Sequence, residues 1–287
     1  MFLSDHFGEG LRTILAGENS VTHPDTLRPP AHLIQQDLKG SANPLRSVVF
    51  AIAAIGLRCQ FEICLPMIPL RCINICCRRS AANPQRHVGV EDFSAAFQGG
   101  EVTGFHGSDS HGREHLLSVL GMIEKPDAGS LEVLNQDVSK MSEADAARLR
   151  DTTFGHLFTH PHLLPSFTVA ENVAMPFFRI CGQGEDAARE RTLAALDFVG
   201  TASLHAMLVG NLDDATHWRV AFARAIVHSP AVLVAVSPPS DLLMPFARRF
   251  ADSFGAAVLW NTKGNGMLPM ADCMVELNPP SSRCALP

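Results

Sequence analysis

A chain of 287 residues, 46% of them apolar, can bury a large core, and one domain of about 200 residues with an extension is the natural division. A net charge of −6 offers no clustered basic face, so nucleic acid is not expected as a partner. The start from Met1 to Glu9 lacks the basic region and apolar core of a secretory signal, and the longest apolar run, Val48 to Leu57, is well short of the ~18 residues of a membrane span.

Residues 1–64 carry turn signals (Asn19-Ser20, Pro24-Asp25, Pro29-Pro30, Gly40 to Pro44) around short helical patterns and no chemical motif. They are set apart as an N-terminal extension, with residues 65–287 as the domain. Leu70 to Cys76 alternates as an edge strand does. A basic turn with Arg78, Arg79 and Arg86 follows, then Val88 to Phe97 as a second strand. Both are expected in one sheet with the next strand, Glu101 to His106. Gly107 to Gly112 reads as a glycine-bounded turn and Arg113 to Ile123 as an amphipathic helix with Leu116, Leu117, Leu120 and Ile123 on one face.

That order is the order of a phosphate-binding loop, where backbone N–H groups and a helix N-terminus face a polyphosphate. A Lys then holds the β and γ oxygens, and a Ser/Thr hydroxyl holds Mg²⁺. Gly107 and Gly112 keep the G-x-x-x-x-G spacing around Ser108, Asp109, Ser110 and His111, but the Lys position is Arg113 and the hydroxyl position is Glu114. The frame persists while the chemistry does not, so Gly107 through Glu114 reads as a vestigial phosphate loop.

Beyond the helix, Pro126 to Ser130 is a turn and Leu131 to Leu134 a strand. Ser142, with Asp145 three residues on, caps a helix to about Arg150. A strand enters at Phe154, a proline-punctuated loop follows, and a helix starts near Val169. His156, His160 and His162 invite a metal reading, but no carboxylate or Cys stands at ligand spacing, and polar loop histidines are the simpler reading. The eight cysteines (59, 64, 72, 76, 77, 181, 273 and 284) lack paired C-x-x-C spacing and read as reduced, mostly buried thiols.

Glu185 to Val199 is an amphipathic helix with Ala188, Thr192, Leu193, Leu196 and Val199 inward. Asp213-Asp214 lead into a helix from Ala215 to His228 whose stripe is Val220, Ala221, Ala223, Ala225, Ile226 and Val227. Ala231 to Val236 is a continuous apolar run, the mark of a central parallel strand. Ala256 to Trp260 is another, and Met270 to Leu277 a last strand region. Strands alternating with helices predict an α/β layered domain.

Several stretches, in order, carry a family resemblance: Gly100-Glu-Val, the turn Gly107 to Gly112, Val138-Ser-Lys-Met-Ser-Glu, Ala147-Arg-Leu-Arg, and Phe154-Gly. The series goes on through His162-Leu-Leu-Pro, Phe167-Thr-Val-Ala-Glu-Asn-Val, Arg219-Val-Ala-Phe-Ala-Arg-Ala-Ile, and Pro230 before the next strand. From about Leu70 to Leu277 the chain resembles the nucleotide-binding subunit of ABC transporters, nearest the macrolide-export and lipoprotein-release group. The resemblance implies the P-loop NTPase-like ABC fold, a mixed sheet with helices on both faces plus a helical subdomain. It also implies a cytoplasmic chain peripheral to the inner face of a membrane.

At every position that performs chemistry in that family this sequence departs from the pattern. The Walker A lysine and hydroxyl correspond to Arg113 and Glu114, and the metal-sensing glutamine to Thr159. The signature's Ser-Gly-Gly-Glu corresponds to Asp213, Asp214, Ala215 and Thr216, and its following glutamines to His217 and Trp218. The Walker B aspartate and catalytic glutamate correspond to Val236 and Ser237, the switch histidine to Lys263, and the adenine-stacking aromatic to Arg79. Valine cannot coordinate a metal and a neutral serine is a poor base, so hydrolysis is expected to be absent, no cofactor is required, and ATP would bind weakly. Asp109, Glu114, Asp213 and Asp214 would supply carboxylates where two helix N-termini otherwise face phosphate; the plainer reading is ordinary capping.

The implied function is a non-hydrolysing partner or regulatory subunit of a membrane transport complex. Its partners would be a membrane transporter subunit and, in a homodimer or heterodimer, an active ATP-binding subunit. The alternatives are an ATP-binding subunit that powers export or lipoprotein release, and a decayed gene product.

Overall fold

The computed structural model describes residues 67–77, 89–108, 110–181, 184–262 and 267–277. The extension 1–64, the basic turn with Arg79, Asp109 and Lys263 lie outside them.

Two sheets form the scaffold. One is parallel, in the order β6-β7-β8-β3-β9, built from β3 (Val102–His106), β6 (Phe154–Leu157), β7 (Val232–Ala235), β8 (Ala257–Asn261) and β9 (Cys273–Glu276). The other is antiparallel, in the order β2-β1-β4-β5, built from β1 (Leu70–Cys77), β2 (Val90–Phe97), β4 (Ala128–Val133) and β5 (Gln136–Asp137). The expectation that β1 and β2 share a sheet with β3 is therefore corrected. The reason lies in the pattern: β7 and β8 are buried at every position, as a strand covered on both faces must be, whereas β1 and β2 mix buried and exposed residues. A partly exposed strand fits a sheet with one wet face.

Helix α1 (Ser110–Leu120) bridges the two sheets. Its Leu116, Leu117 and Leu120 share one core with Leu70, Ile75, Phe93 and Phe97 of the antiparallel sheet and with Val232, Val234 and Leu259 of the parallel one. It begins before Arg113 and stops before Ile123. Met122 turns left-handed at φ 57° and the Ile123 N–H reaches back to the Ser118 carbonyl at 2.8 Å, which leaves Ile123 on the surface.

A second core lies under α3 (Val169–Cys181), α4 (Glu185–Phe198), α5 (Asp214–Ile226) and α6 (Ser240–Phe254). Every residue of the stripe expected on α5 is buried. On α4 the register is corrected at one position: Leu193 faces solvent and Ala195 the core. Helix α6 has no counterpart among the expected elements. Pro239 stands just before the first turn, where proline is tolerated, and Leu243, Met244, Ala247, Phe250 and Ala251 keep a helical stripe into the core. Helix α2 (Glu143–Thr153) starts as expected, with Ser142 Oγ accepting from the Asp145 N–H at 3.1 Å.

Candidate functional site

The turn after β3 meets the C-terminal ends of β7 and β8, the place where open parallel sheets collect their ligands. Gly107 sits at φ 137°, and a Cβ there would meet the Leu277 carbonyl oxygen at 2.1 Å, so this corner admits only glycine. Ser108 and His111 are exposed, Ser110 opens α1, Gly112 is buried and Glu114 is half-buried on the first turns of the helix.

Arg113 points inward. Its side chain is 1% exposed, with Nε donating to Asn261 Oδ1 at 2.8 Å, one terminal nitrogen to the Gly107 carbonyl, and the other to the Thr262 carbonyl at 3.4 Å. Arginine suits this place because its planar fork spans three acceptors at once, which a lysine's single ammonium cannot do. Each acceptor is itself fixed. Asn261 donates to Ser237 Oγ at 2.8 Å, which turns its carbonyl oxygen toward Arg113, and both the backbone N–H and the hydroxyl of Thr262 donate to the Phe105 carbonyl at 3.0 Å. The structure thus joins Arg113 and Ser237 through Asn261, a residue that sequence reasoning passed over. No local signal marks it: Asn261 lies 148 residues from Arg113.

Val236 follows β7, half-buried against the core that α1 shares, its N–H donating to the Leu157 carbonyl at 2.7 Å. Ser237 is 6% exposed and holds φ 54°, a conformation unusual for serine. A hydrophobic side chain and a hydroxyl end this strand. Thr159 is exposed.

Asp213 and Asp214 open α5, where the Asp213 carboxylate accepts from the Thr216 N–H at 2.8 Å and the Thr216 hydroxyl at 3.0 Å. Those bonds hold the Asp213 carboxyl below the ordinary carboxylate range. The carboxylate occupies the helix terminus in the way any good N-cap does.

The loop between β6 and α3 is held by polar ties. Thr168 and Glu171 form a reciprocal capping pair, the carboxylate accepting from the Thr168 N–H at 2.6 Å and Thr168 Oγ1 accepting from the Glu171 N–H at 3.2 Å. The Asn172 amide accepts from the Leu164 N–H at 2.7 Å and donates to the Leu164 carbonyl at 3.1 Å. From α5, Arg224 donates to the carbonyls of Pro161 at 2.7 Å and His162 at 2.6 Å. The imidazoles stack rather than converge on a centre: His156 lies between Phe154 and Phe158, and His162 meets Phe158 and His160 edge-on. Around this braced loop Phe158, Leu164, Met207 and Leu208 are exposed, with the backbone of 165–169 bonded to that of 207–210. Of the two tryptophans Trp260 is fully buried and Trp218 packs on the core edge, so both are structural. Burial pushes the Cys77 thiol up to about 12, which makes it inert.

The family model described as ABC transporter matches residues 90–238. A lipoprotein-releasing system ATP-binding protein LolD from Pseudoalteromonas translucida is 36% identical over 147 residues, 51% of this chain and 63% of that protein. LolD from Bacteroides thetaiotaomicron is 34% identical over 143 residues, 50% of this chain and 65% of that protein. The chain therefore spans less than two thirds of the length of either relative. A macrolide export ATP-binding/permease protein MacB from Burkholderia pseudomallei is 32% identical over 165 residues, 58% of this chain and 25% of that protein. Among solved structures, the dimeric MJ0796, described as a bacterial ABC transporter cassette, superposes with a TM-score of 0.63 at 20% identity, covering 72% of this chain and 94% of that one. The cbiO1 protein of Clostridium perfringens gives 0.63 at 21% identity, covering 74% and 85%. At such identities the structures speak for the fold alone.

Proposed function

Given that the chain belongs to the ABC transporter family and has its ATP-binding-cassette fold, we propose that it is a non-hydrolysing partner or regulatory subunit of a membrane transport complex of the lipoprotein-release or macrolide-export kind. The observation that carries this reading is the fate of the phosphate-loop cation: Arg113 is buried and bonded to Gly107, Asn261 and Thr262, while the neighbouring strand ends in Val236 and Ser237.

A magnesium triphosphate does not fit these residues. Phosphoryl transfer consists almost wholly of positioning and charge neutralisation around the metal with an oriented water. The Val236 side chain has no lone pair for a metal, and the Ser237 hydroxyl keeps its proton at neutral pH while accepting from Asn261. Glu114 adds a carboxylate beside the turn. The eight residues Gly107 through Glu114 are a vestigial loop in this reading, retained because the turn and α1 join the two sheets.

This reading places function on the loop after β6 rather than on the turn after β3. The loop 158–168 is braced by its bonds to Asn172 and Arg224, and its exposed Leu164, with the exposed Met207 and Leu208 on the segment bonded to 165–169, offers apolar side chains suited to a helix of a membrane transporter subunit. No helix among the described residues is long and apolar enough to cross a membrane, and a peripheral place at the cytoplasmic face follows from docking through these side chains. A homodimer, or a heterodimer with an active ATP-binding subunit, completes the assembly. Co-purification of the tagged chain with membranes, with and without a Leu164→Asp, Leu208→Asp pair, tests docking. Retention lost in the pair supports it, and retention unchanged or absent in both refutes it.

The second reading, an ATP-binding subunit that powers export or lipoprotein release, draws on the names of the similar proteins. Phosphate release distinguishes the two.

A further inference from the structure

We infer that the group of oxygens beneath the turn is a cation cradle, and that Arg113 is its permanent, built-in occupant. Among the described residues three oxygens of different origin converge there: the Gly107 carbonyl from the turn, Asn261 Oδ1 from the end of β8, and the Thr262 carbonyl just beyond it. All three are placed by contacts that do not involve Arg113. Gly107 is held at φ 137° against the Leu277 backbone, Asn261 is oriented by its bond to Ser237, and Thr262 is tied to the Phe105 carbonyl through both its N–H and its hydroxyl. Oxygens fixed in advance and aimed at one buried point recognise a positive group, and they meet a phosphate with acceptors rather than donors.

The match is to a flat, multiply donating cation. Guanidinium presents its N–H groups in one plane, and Nε and both terminal nitrogens of Arg113 are engaged in that manner. The ligand class of the cradle is therefore a small planar organic cation, which this chain supplies from its own helix. The inference rests on the non-hydrolysing reading only in explaining why the loop excludes polyphosphate; the cradle itself is defined by its three oxygens.

The test is chemical rescue. Arg113→Ala is expected to lower the thermal midpoint by about 10 °C, because three buried acceptors lose their donors. Millimolar guanidinium chloride, far below denaturing levels, should recover part of that loss, while equal sodium chloride or urea should not, and none should raise the midpoint of the unaltered chain. Recovery with guanidinium alone supports the cradle. An unchanged midpoint in Arg113→Ala, or a loss that guanidinium does not offset, overturns it. Should Arg113→Ala fail to fold, Asn261→Asp and Asn261→Leu decide the matter with Arg113 in place. The carboxylate should hold the midpoint near that of the parent and leucine should lower it by several degrees, whereas an equal fall in both refutes the cradle. No nucleotide is present in these measurements, so observed ATP turnover would end the non-hydrolysing reading without touching the cradle, and failed rescue would do the reverse.

Discussion

Replacing Arg113 by lysine should tighten ATP binding without producing turnover. The magnitude follows from the bonds that nucleotide entry must break. Each hydrogen bond from a charged donor is worth about 1.5–3 kcal/mol, so freeing the guanidinium from Asn261, Gly107 and Thr262 costs at least about 4.5 kcal/mol. A site that would otherwise bind near ~1 μM, about 8.2 kcal/mol, is left with about 3.7 kcal/mol, or a Kd of roughly 2 mM. Lysine has a single ammonium that cannot span the three acceptors; keeping one bond of the same strength, it is freed for about 1.5 kcal/mol. The expected gain is about 3 kcal/mol, on the order of 150-fold, to a Kd of roughly 10 μM. Trp260 is a built-in reporter, fully buried and one residue from Asn261, and Trp218→Phe leaves it as the single tryptophan. Titrating Trp260 fluorescence with ATP and Mg²⁺ measures both proteins. Low-micromolar binding by the parent, or no gain in Arg113→Lys, would refute the reasoning.

Three further outcomes are expected. Asp213→Ala should lower the thermal midpoint while Asp213→Asn largely preserves it, because asparagine caps as well as aspartate; ATP should offset neither change, and a midpoint restored by ATP would mean that phosphate replaces the carboxylate. The capping bonds depress the Asp213 pKa, so its contribution is complete above the ordinary carboxylate pKa and is lost as pH falls through the depressed value, which a comparison of parent and Asp213→Ala melts from pH 6 to about 3 should show as a shrinking difference. Burial lowers the pKa of His156 and His228 below the ordinary 6.5, disfavouring their charged forms in the folded state; stability is complete above about 6.5 and falls as pH drops below it, and His156→Gln should flatten that slope in urea titrations. Gly155→Ala should destabilise by about 3 kcal/mol or more, since its Cβ would stand 2.3 Å from the Ala225 carbonyl oxygen where β6 crosses α5; an unfolding midpoint within error of the parent would contradict that packing.

Much of the fold is legible because burial writes itself into composition. Val232–Ala235 and Ala257–Asn261 are nearly all apolar and emerge as the covered parallel strands, and Ser142 marks its helix start by the bond it makes three residues on. Periodicity does not say which strand a strand pairs with. Leu70–Cys77 and Val90–Phe97 therefore read as strands of the sheet that holds Val102–His106, whereas they form a separate, partly exposed sheet. Helix α6 is absent from the expected elements although Leu243, Met244, Ala247, Phe250 and Ala251 have helical spacing. At the site, the glycine spacing and the altered positions 113, 114, 236 and 237 were readable, but the direction of the Arg113 side chain was not. It depends on Asn261 and Thr262, which reach the turn only once β8 lies beside β3.

The most direct test of the account is inorganic phosphate release by the purified full chain with Mg²⁺ and millimolar ATP. Release no faster than in buffer alone is expected, for the parent and for Arg113→Lys alike. Steady turnover above that level, scaling with protein concentration and lost in Arg113→Ala, would contradict it.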